Sequence, residues 1–383
     1  MSEMHAQSLG PTTAIGSRSG IQLSFSEPIR GLAPALGRHH HRGLVESLLA
    51  LVCQRIAWSP GLIGGELWRL LTNIGAYREI RSLLRSHPFT EITEENPGLG
   101  LRFTVPNYMA RSFSGEERAA CFLHHYRRIK TALPEDVLRQ IFKESVTVYQ
   151  VIEGGVRFAW ALGTPHWPND REGELNLSLR VNEDPVFHLS FNIIPGWIVK
   201  SDAEEVVLIT RLQGARGARS LLRIIHSCLH DYSPRALLLA ALQGVADAFG
   251  IREIDAVCAA DQRSYNDNRA AALKRGYDDF FKAQGMLLGP AGQYFCKTPI
   301  EPRPAASFRG RDRSRARKRL AFRRNIQSNC AEFFQHLIDR VNDRVIDRSL
   351  IETESAGAAS IAPGSAREKR FRPFPPSDLH TFI

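Results

Sequence analysis

The sequence predicts an α+β fold with N-terminal helices, a mostly antiparallel sheet containing one parallel βαβ crossover, and a basic C-terminal helix. Three observations predict it. Apolar residues recur at helical spacing between Gly43 and Phe142, and from Ser145 onward they alternate with period two. A strand–loop–helix–strand order then fills Val206–Ala259. Short turns join antiparallel neighbours and a helical crossover joins parallel ones, so these patterns specify the sheet.

The helical part begins after a segment rich in Ser, Gly, Pro and His, a composition typical of disorder. An apolar stripe predicts a helix over Leu62–Leu84. Two further helices are expected at Gly115–Thr131 and Pro134–Phe142. Between them, Phe89–Tyr108 is expected to be extended and polar, with a turn at Asn96-Pro97-Gly98.

The sheet part contains short runs with alternating apolar residues. Four of these runs are separated by turn residues, which predicts antiparallel neighbours: Val146–Ile152, Val156–Leu162, Glu174–Val181 and Val186–Ile194. A helix is expected at Asn268–Ala283 and a last strand at Gln293–Thr298. The predicted organisation is a disordered N-terminal segment (1–42), one domain (43–350) with a helical part (43–144), a sheet part (145–300) and a basic helix (309–347), and a disordered tail (351–383).

The crossover is the stretch that points most directly to a site. A β-branched run ends at Arg211, and a glycine loop and a first helix follow it. Ser233 and Pro234 then start a second helix, which leads to a strand at Ile254–Ala259. Free N–H groups at such a helix start favour an anion, typically a phosphate. The residues predicted to bind a phosphorylated ligand are Arg211, Gln213, Gly214, Arg216, Ser233 and Arg235.

Composition excludes several classes. Hydrophobic residues make up 43% and charged residues 23%, as in ordinary globular proteins. We find no stretch suited to crossing a bilayer and no signal peptide. The six cysteines are widely spaced without a C-x-x-C pair, so neither a metal site nor a disulfide framework is expected. These features predict a cytoplasmic protein, with contact to the inner face of a membrane as an alternative.

Positive charge is concentrated near the C-terminus. The formal net charge is +10, and residues 309–324 hold nine basic residues against Asp312 alone, a local charge of +8. Such a cluster is either the solvated start of a helix or a surface for an anionic membrane or nucleic acid. Specific nucleic-acid recognition is not expected, because no aromatic-interleaved motif accompanies it. The residues assigned to an anionic-surface contact are Arg315, Arg317, Lys318, Arg319, Arg323 and Arg324.

The element order resembles the GCN5-related N-acyltransferase fold. Pro234–Cys258 looks like that family's coenzyme-A helix and the following strand, and Phe280–Met286 is similar to its late helix-end motif. The resemblance implies an acyl-CoA-type ligand as the possible cofactor. The family's pyrophosphate-loop consensus is not matched here, and Phe281 stands where a proton-donating tyrosine often lies. Tyr277, one turn upstream, is the candidate proton donor, and Asp278 is a candidate general base.

At the level of the whole chain, the sequence resembles the bacterial VirK/YbjX family over about Leu67–Val345. The resemblance rests on Val206–Gly214, the Pro-Arg-x-Leu-Leu-Leu helix at Pro234–Leu239 and the Arg-rich segment. It implies a bacterial protein, cytoplasmic or associated with the inner membrane. It further implies links to virulence, envelope stress, the DNA damage response and resistance to cationic antimicrobial peptides, with no assigned activity.

Three further residues are candidates for substrate contact. His166 and Trp167 lie in a proline-flanked loop, where ligand-contacting residues are common. His188 alternates with apolar neighbours in a predicted strand and is either a hydrogen-bonded sheet histidine or a catalytic base. Two functions stay open: an acyltransferase-like protein that binds a phosphorylated small molecule, and a non-enzymatic stress-response or envelope factor. The second would bind an anionic surface or a protein partner through the basic helix.

Overall fold

The structure is a computed structural model that describes residues 68–96, 98–165, 172–229, 231–300 and 309–358, the last 14 of them as backbone alone. The predicted disordered N-terminal segment lies outside these ranges, as do His166 and Trp167. In the described part of the chain, no helix has the length and apolar character needed to cross a membrane.

In the described residues, a helical segment at 68–72 is followed by four further helices before the sheet: α1 (Ile74–Leu84), α2 (Phe89–Glu95), α3 (Gly115–Ala132) and α4 (Glu135–Lys143). A 3-10 helix lies at Leu99–Thr104. The expectation of an extended Phe89–Tyr108 segment was therefore wrong. Phe89 and Ile92 are both buried, and their three-residue spacing suits one face of a short helix.

Helix α3 is fixed at its start by a capping box. Ser114 accepts a hydrogen bond from the Glu117 backbone N–H, and the Glu117 side chain accepts one from the Ser114 backbone. Its buried face includes Phe122, Tyr126 and Ile129, which lie in the core between the helices and the sheet. This helix packs across β4, the strand at the centre of the site described below.

A single sheet of eight strands has the order β1-β2-β3-β4-β5-β6-β8-β7. Its strands are β1 (Val146–Glu153), β2 (Val156–Gly163), β3 (Leu175–Val181), β4 (Asp184–Pro195), β5 (Glu205–Gly214), β6 (Glu253–Ala256), β7 (Leu287–Leu288) and β8 (Tyr294–Lys297). Adjacent strands are antiparallel except β5 and β6, which are parallel. The predicted α+β class and the single parallel crossover are confirmed. The short strand β7 was not predicted.

Two helices form the crossover, α5 (Arg219–Cys228) and α6 (Pro234–Ala248). The helix predicted at Asn268–Ala283 is instead divided into α7 (Ala270–Gly276) and α8 (Asp278–Ala283). Tyr277 lies at the junction, as the C-cap residue of α7 and the N-cap residue of α8. Its hydroxyl contacts the Leu212 N–H of β5.

The basic helix is α9 (Gly310–Ala358), which extends beyond its predicted end at residue 347. It packs against α6 through the buried residues Ile326, Cys330, Phe334 and Leu337. The approach is close at Gly244, where an added Cβ would lie 2.3 Å from the Gln327 carbonyl oxygen. Only glycine fits there, so the apolar middle of α9 is part of the core.

Candidate functional site

The candidate site lies where β5 and β6 separate. Their pairing covers only Val207–Ile254, Leu208–Asp255 and Ile209–Ala256, and the Val257 N–H adds one hydrogen bond of 2.9 Å to the Ile209 carbonyl. Beyond this point β5 continues to Gly214 while pairing only with β4. Ligands of open sheets commonly bind at such carboxyl ends.

A β-bulge accompanies the separation. Ile209 pairs with Phe191 and Arg211 pairs with Ser190, so Thr210 is the extra residue in β5. Its hydroxyl is buried and donates to the Ser190 carbonyl oxygen at 3.1 Å. A bulge bends its strand and interrupts pairing. The bulge therefore directs the last residues of β5 away from β6.

Tyr277 lies beside β5 just beyond the point of separation. The Leu212 N–H donates to the Tyr277 hydroxyl oxygen at 3.2 Å, and the tyrosine is only 7% exposed. Burial raises the pKa of Tyr277 to about 12. The hydroxyl is thus protonated at neutral pH, and since it accepts from Leu212 it retains its own proton for donation.

Arg211 and Gln213 project together from the end of β5. The Arg211 Nε donates to the Gln213 side-chain oxygen at 2.9 Å and also lies 3.2 Å from a carboxylate oxygen of Glu172. Strand pairing places Gln213 opposite His188. The Asn176 amide nitrogen lies 3.2 Å from His188 Nδ1, an arrangement that favours the proton on Nε2 in the neutral ring.

The start of α6 lies beside Tyr277. Ser233 is the N-cap residue without a side-chain capping bond, and Pro234 is the first helical residue, as the sequence predicts. The Arg235 Nη1 donates to the Gly276 carbonyl at 2.7 Å, and its guanidinium lies 5.0 Å from the centre of the Phe280 ring. Arg235 thus ties the helix start to the segment that carries Tyr277.

The contacts of Asp278 and Phe281 are those of residues that stabilise the fold. The Asp278 carboxylate accepts the Ala259 backbone N–H at 2.8 Å, just beyond the carboxyl end of β6. Phe281 is fully buried and lies against Phe280 and Tyr294. This apolar packing explains why the position holds phenylalanine, and it leaves Tyr277 as the tyrosine that faces the separated strands.

Other predicted residues lie further out. Gly214 ends β5, Arg216 is exposed in the following turn, and Gly217 has a φ of +78°, which favours glycine there. Helix α5 then separates this turn from α6 along the chain. The structure therefore brings together Arg211, Gln213, His188, Tyr277 and Arg235 in one region, with Arg216 at its margin.

A row of buried polar residues on the same sheet face was not predicted from the sequence. Strand pairing sets Asn176 opposite Ser190 and Ser178 opposite His188, and Asn192 lies two residues along β4. Next to them, the buried Glu174 accepts hydrogen bonds from the hydroxyls of Tyr108 and Tyr126. The sequence does contain a signal for this row, because these polar residues interrupt otherwise apolar strands.

The basic residues of α9 divide into two groups. Arg315, Arg317, Lys318 and Arg324 are exposed. Arg319 lies 3.6 Å from Asp231, and its carbonyl accepts the Tyr232 hydroxyl. Arg323 is buried, and burial lowers the pKa of its guanidinium. Of the six predicted surface contacts, four are therefore fully available to an external partner.

The sequence matches the family described as "Protein of unknown function (DUF535)" over residues 67–332, and the chain belongs to this family, which contains VirK/YbjX. No curated protein and no solved structure matches the chain significantly. In the described ranges, no group of three or more histidine, cysteine or acidic residues has the arrangement of a metal site.

Proposed function

We propose that the protein is acyltransferase-like and binds an acyl-CoA-type or other phosphorylated ligand where β5 and β6 separate. The observation that carries the proposal is the bulge at Thr210, after which the Leu212 N–H faces the protonated Tyr277 hydroxyl instead of a strand. The strand order, with one parallel pair at the crossover, also agrees with the resemblance to GCN5-related N-acyltransferases.

The chemistry follows from these groups. A pantetheine-like arm would lie along β5, and the Leu212 N–H, by donating to the Tyr277 hydroxyl, would hold that hydroxyl beside a thioester placed there. When an unprotonated amine attacks the carbonyl carbon, the carbon–sulfur bond breaks and the thiolate takes a proton. The amine nitrogen loses one proton as the amide forms, and that proton restores the donor. Tyr277 holds such a proton at neutral pH. His188 lies on the same side of β5 as Arg211 and Gln213 and is a candidate to contact the acceptor.

Arginines would hold the phosphates. Arg235 uses Nη1 for Gly276, and a guanidinium carries five N–H donors, so it can also donate to a phosphate. Arg216 is exposed beside the same end of β5. The helix start at Ser233 adds its own N–H groups. These residues replace the family's glycine-rich pyrophosphate loop, which this chain lacks.

Calorimetry of the full chain with coenzyme A and acetyl-CoA tests the proposal. We expect saturable binding, weakened by roughly 1–3 kcal/mol in Arg235→Ala, the scale of a charge-assisted hydrogen bond. Arg252→Ala is the matched control, because Arg252 is exposed and pairs with Asp247 at the other end of α6. Absence of binding at millimolar ligand, or equal losses in both variants, would contradict the proposal.

A second candidate function is contact with an anionic surface through the start of α9. The observation that favours it is the exposure of Arg315, Arg317, Lys318 and Arg324 on one segment. Each basic residue near an anionic membrane contributes about 1 kcal/mol. Through the resemblance to VirK/YbjX proteins, such a function would connect the protein to envelope stress, virulence and antimicrobial-peptide resistance at the cytoplasmic side of the inner membrane.

Vesicle sedimentation separates this candidate from a merely solvated helix start. Binding to anionic vesicles should fall steeply with salt and should be lost when the four exposed residues are changed to Gln. The control variant carries the same charge change at exposed sites elsewhere: Arg78, Arg85, Lys143 and Arg252. Equal binding by both variants would exclude a role for α9. Binding of duplex DNA in place of vesicles would instead favour nucleic acid as the partner.

A further inference from the structure

A cavity lies at the other end of the β5–β6 pair. It has a volume of about 250 Å³ and is lined by the loop that leads into β5, by β6, by the turn before β8 and by β8 itself. Its polar lining includes Glu253 and Asp255, and its apolar lining includes Val199, Pro290 and Phe295. At ~30 Å³ per water molecule, the volume corresponds to about eight waters. It suits a ligand of fewer than roughly ten heavy atoms.

Two carboxyl groups form the polar end of this cavity. Glu253 and Asp255 are two residues apart on β6, so their side chains lie on the same face of the sheet, and they share a hydrogen bond. Asp255 is only 2% exposed, and its Oδ1 has no hydrogen-bond partner among the described residues. A buried acceptor without a partner is costly, and Asp255 is among the residues that line the cavity.

The charged groups around Asp255 decide what this space can accept. Lys297 on β8 forms an ion pair with Glu253, and Lys200 and Asp202 line the cavity from the preceding loop. The neighbouring Cys296 thiol is neutral, because burial raises its pKa to about 12. With Asp255 protonated these charges cancel, and with Asp255 ionised the lining carries one net negative charge.

We infer that the cavity between β6 and β8 is a binding site for a small primary alkylammonium compound. Its ammonium group would donate to the Asp255 carboxylate, and its alkyl part would lie against Phe295, Val199 and Pro290. An ammonium over an aromatic ring gains further electrostatic attraction. An anionic ligand is disfavoured, because it would meet Glu253 and the unpartnered acceptor.

Binding of such a cation is coupled to a proton. Burial and the adjacent Glu253 raise the pKa of Asp255 to about 8, so Asp255 is protonated at pH 7. The positive ligand favours the ionised form and therefore displaces this proton. Only the ionised fraction binds well, so the affinity should rise about tenfold between pH 7 and pH 9. An alkylammonium stays charged over this range, as a lysine side chain does.

Isothermal titration of the full chain with n-butylammonium, and with 1-butanol as the neutral analogue, tests the site. We expect one butylammonium per chain, about tenfold tighter at pH 9, and release of nearly one proton at pH 7 when two buffers are compared. Asp255→Asn should abolish binding, and Asp247→Asn, an exposed control, should not. Equal binding of 1-butanol, a pH-independent affinity, or retained binding by Asp255→Asn would overturn the inference.

If Asp255→Asn does not fold, an NMR titration of the wild-type Asp255 carboxyl decides the matter. Added butylammonium should lower its pKa, whereas an unchanged titration would overturn the site. The outcome does not depend on coenzyme A, because the two sites lie at opposite ends of the strand pair. Loss of one binding activity therefore leaves the other testable.

Discussion

The two ends of the β5–β6 pair differ in the hydrogen-bonding groups that they leave available. At the carboxyl end, the groups are donors: the Tyr277 hydroxyl and the Arg235 guanidinium. At the amino end they are acceptors, the carboxyl groups of Glu253 and Asp255. Only three residue pairs lie between these ends, roughly 10 Å of strand.

This difference shows how one short pairing can separate two chemically opposite sites. The carboxyl end is opened by a bulge and is the proposed anion site, and the amino end is bordered by a turn and β8 and is the proposed cation site. Both ends hold a buried acid with a raised pKa, but the consequences differ. Tyr277 stays protonated throughout the physiological range, whereas Asp255 changes its charge near pH 8.

The largest expected effect concerns the amino end and pH. Because the pKa of Asp255 rises from its ordinary value to about 8, the folded state holds a proton that the unfolded chain releases. The free energy of unfolding therefore falls as pH rises from about 4 to about 8, by at most ~1.4 kcal/mol per pH unit. Asp255→Asn, which cannot ionise, should remove this component.

Urea denaturation at several pH values between 5 and 9 measures this pH-dependent part of the unfolding free energy. The stability difference between Asp255→Asn and wild type should move in favour of the variant as pH rises. Asp247→Asn, at an exposed ion pair, should follow the wild type. A constant difference between Asp255→Asn and wild type would show that Asp255 ionises normally, and the contrast between the two ends would disappear.

The next effect tests the carboxyl end. Tyr277→Phe removes the acceptor of the buried Leu212 N–H, and a buried donor without a partner costs about 1–3 kcal/mol of unfolding free energy. The control is Tyr149→Phe, whose hydroxyl accepts from the exposed Asn325 and should cost about 0.5 kcal/mol or less. Chemical denaturation measures both. Equal losses of unfolding free energy in the two variants would mean that the Leu212 N–H forms a hydrogen bond with another acceptor.

The sequence predicted the architecture of this region better than its details. The β-branched run before Arg211 and the Ser233–Pro234 helix start were sufficient to place the parallel crossover. The bulge at Thr210 could not be predicted, because an extra residue in a strand leaves the alternation of its neighbours almost unchanged.

The acidic pair was missed for a related reason. Asp255 lies within an apolar run that reads as an ordinary strand, and the cavity beside it depends on β8 and on a distant loop. Phe89–Glu95 was misassigned because seven residues give little helical periodicity, and packing of Phe89 and Ile92 decides its structure. The acidic pair's cavity and the short helix thus depend on contacts between residues distant in sequence, which the local residue pattern does not reveal.

A smaller effect is expected for Arg235→Ala, which sharpens the role of the carboxyl end. The variant loses the bond to the Gly276 carbonyl and the contact with the Phe280 ring, together about 1–2 kcal/mol of stability at this half-buried position. Arg252→Ala should change stability by less than about 0.5 kcal/mol. Melting curves measure both. If Arg235→Ala loses stability while keeping full coenzyme A affinity, Arg235 is a positioning residue alone.

The smallest expected effect is that of Lys297→Gln at the amino end. Lys297 pairs with Glu253 but is 69% exposed, so solvent screens the pair and its loss should cost less than about 1 kcal/mol of stability. Its positive charge lowers the pKa of Asp255, opposing the effect of Glu253. Removing that charge should therefore move the Asp255 titration upward, which carboxyl NMR detects, and should shift the pH dependence of butylammonium binding in the same direction. Lys282→Gln, an exposed lysine near Tyr294, should leave the Asp255 titration in place. If the pKa of Asp255 falls in Lys297→Gln, or changes equally in both variants, the charge of Lys297 does not control the ionisation of Asp255.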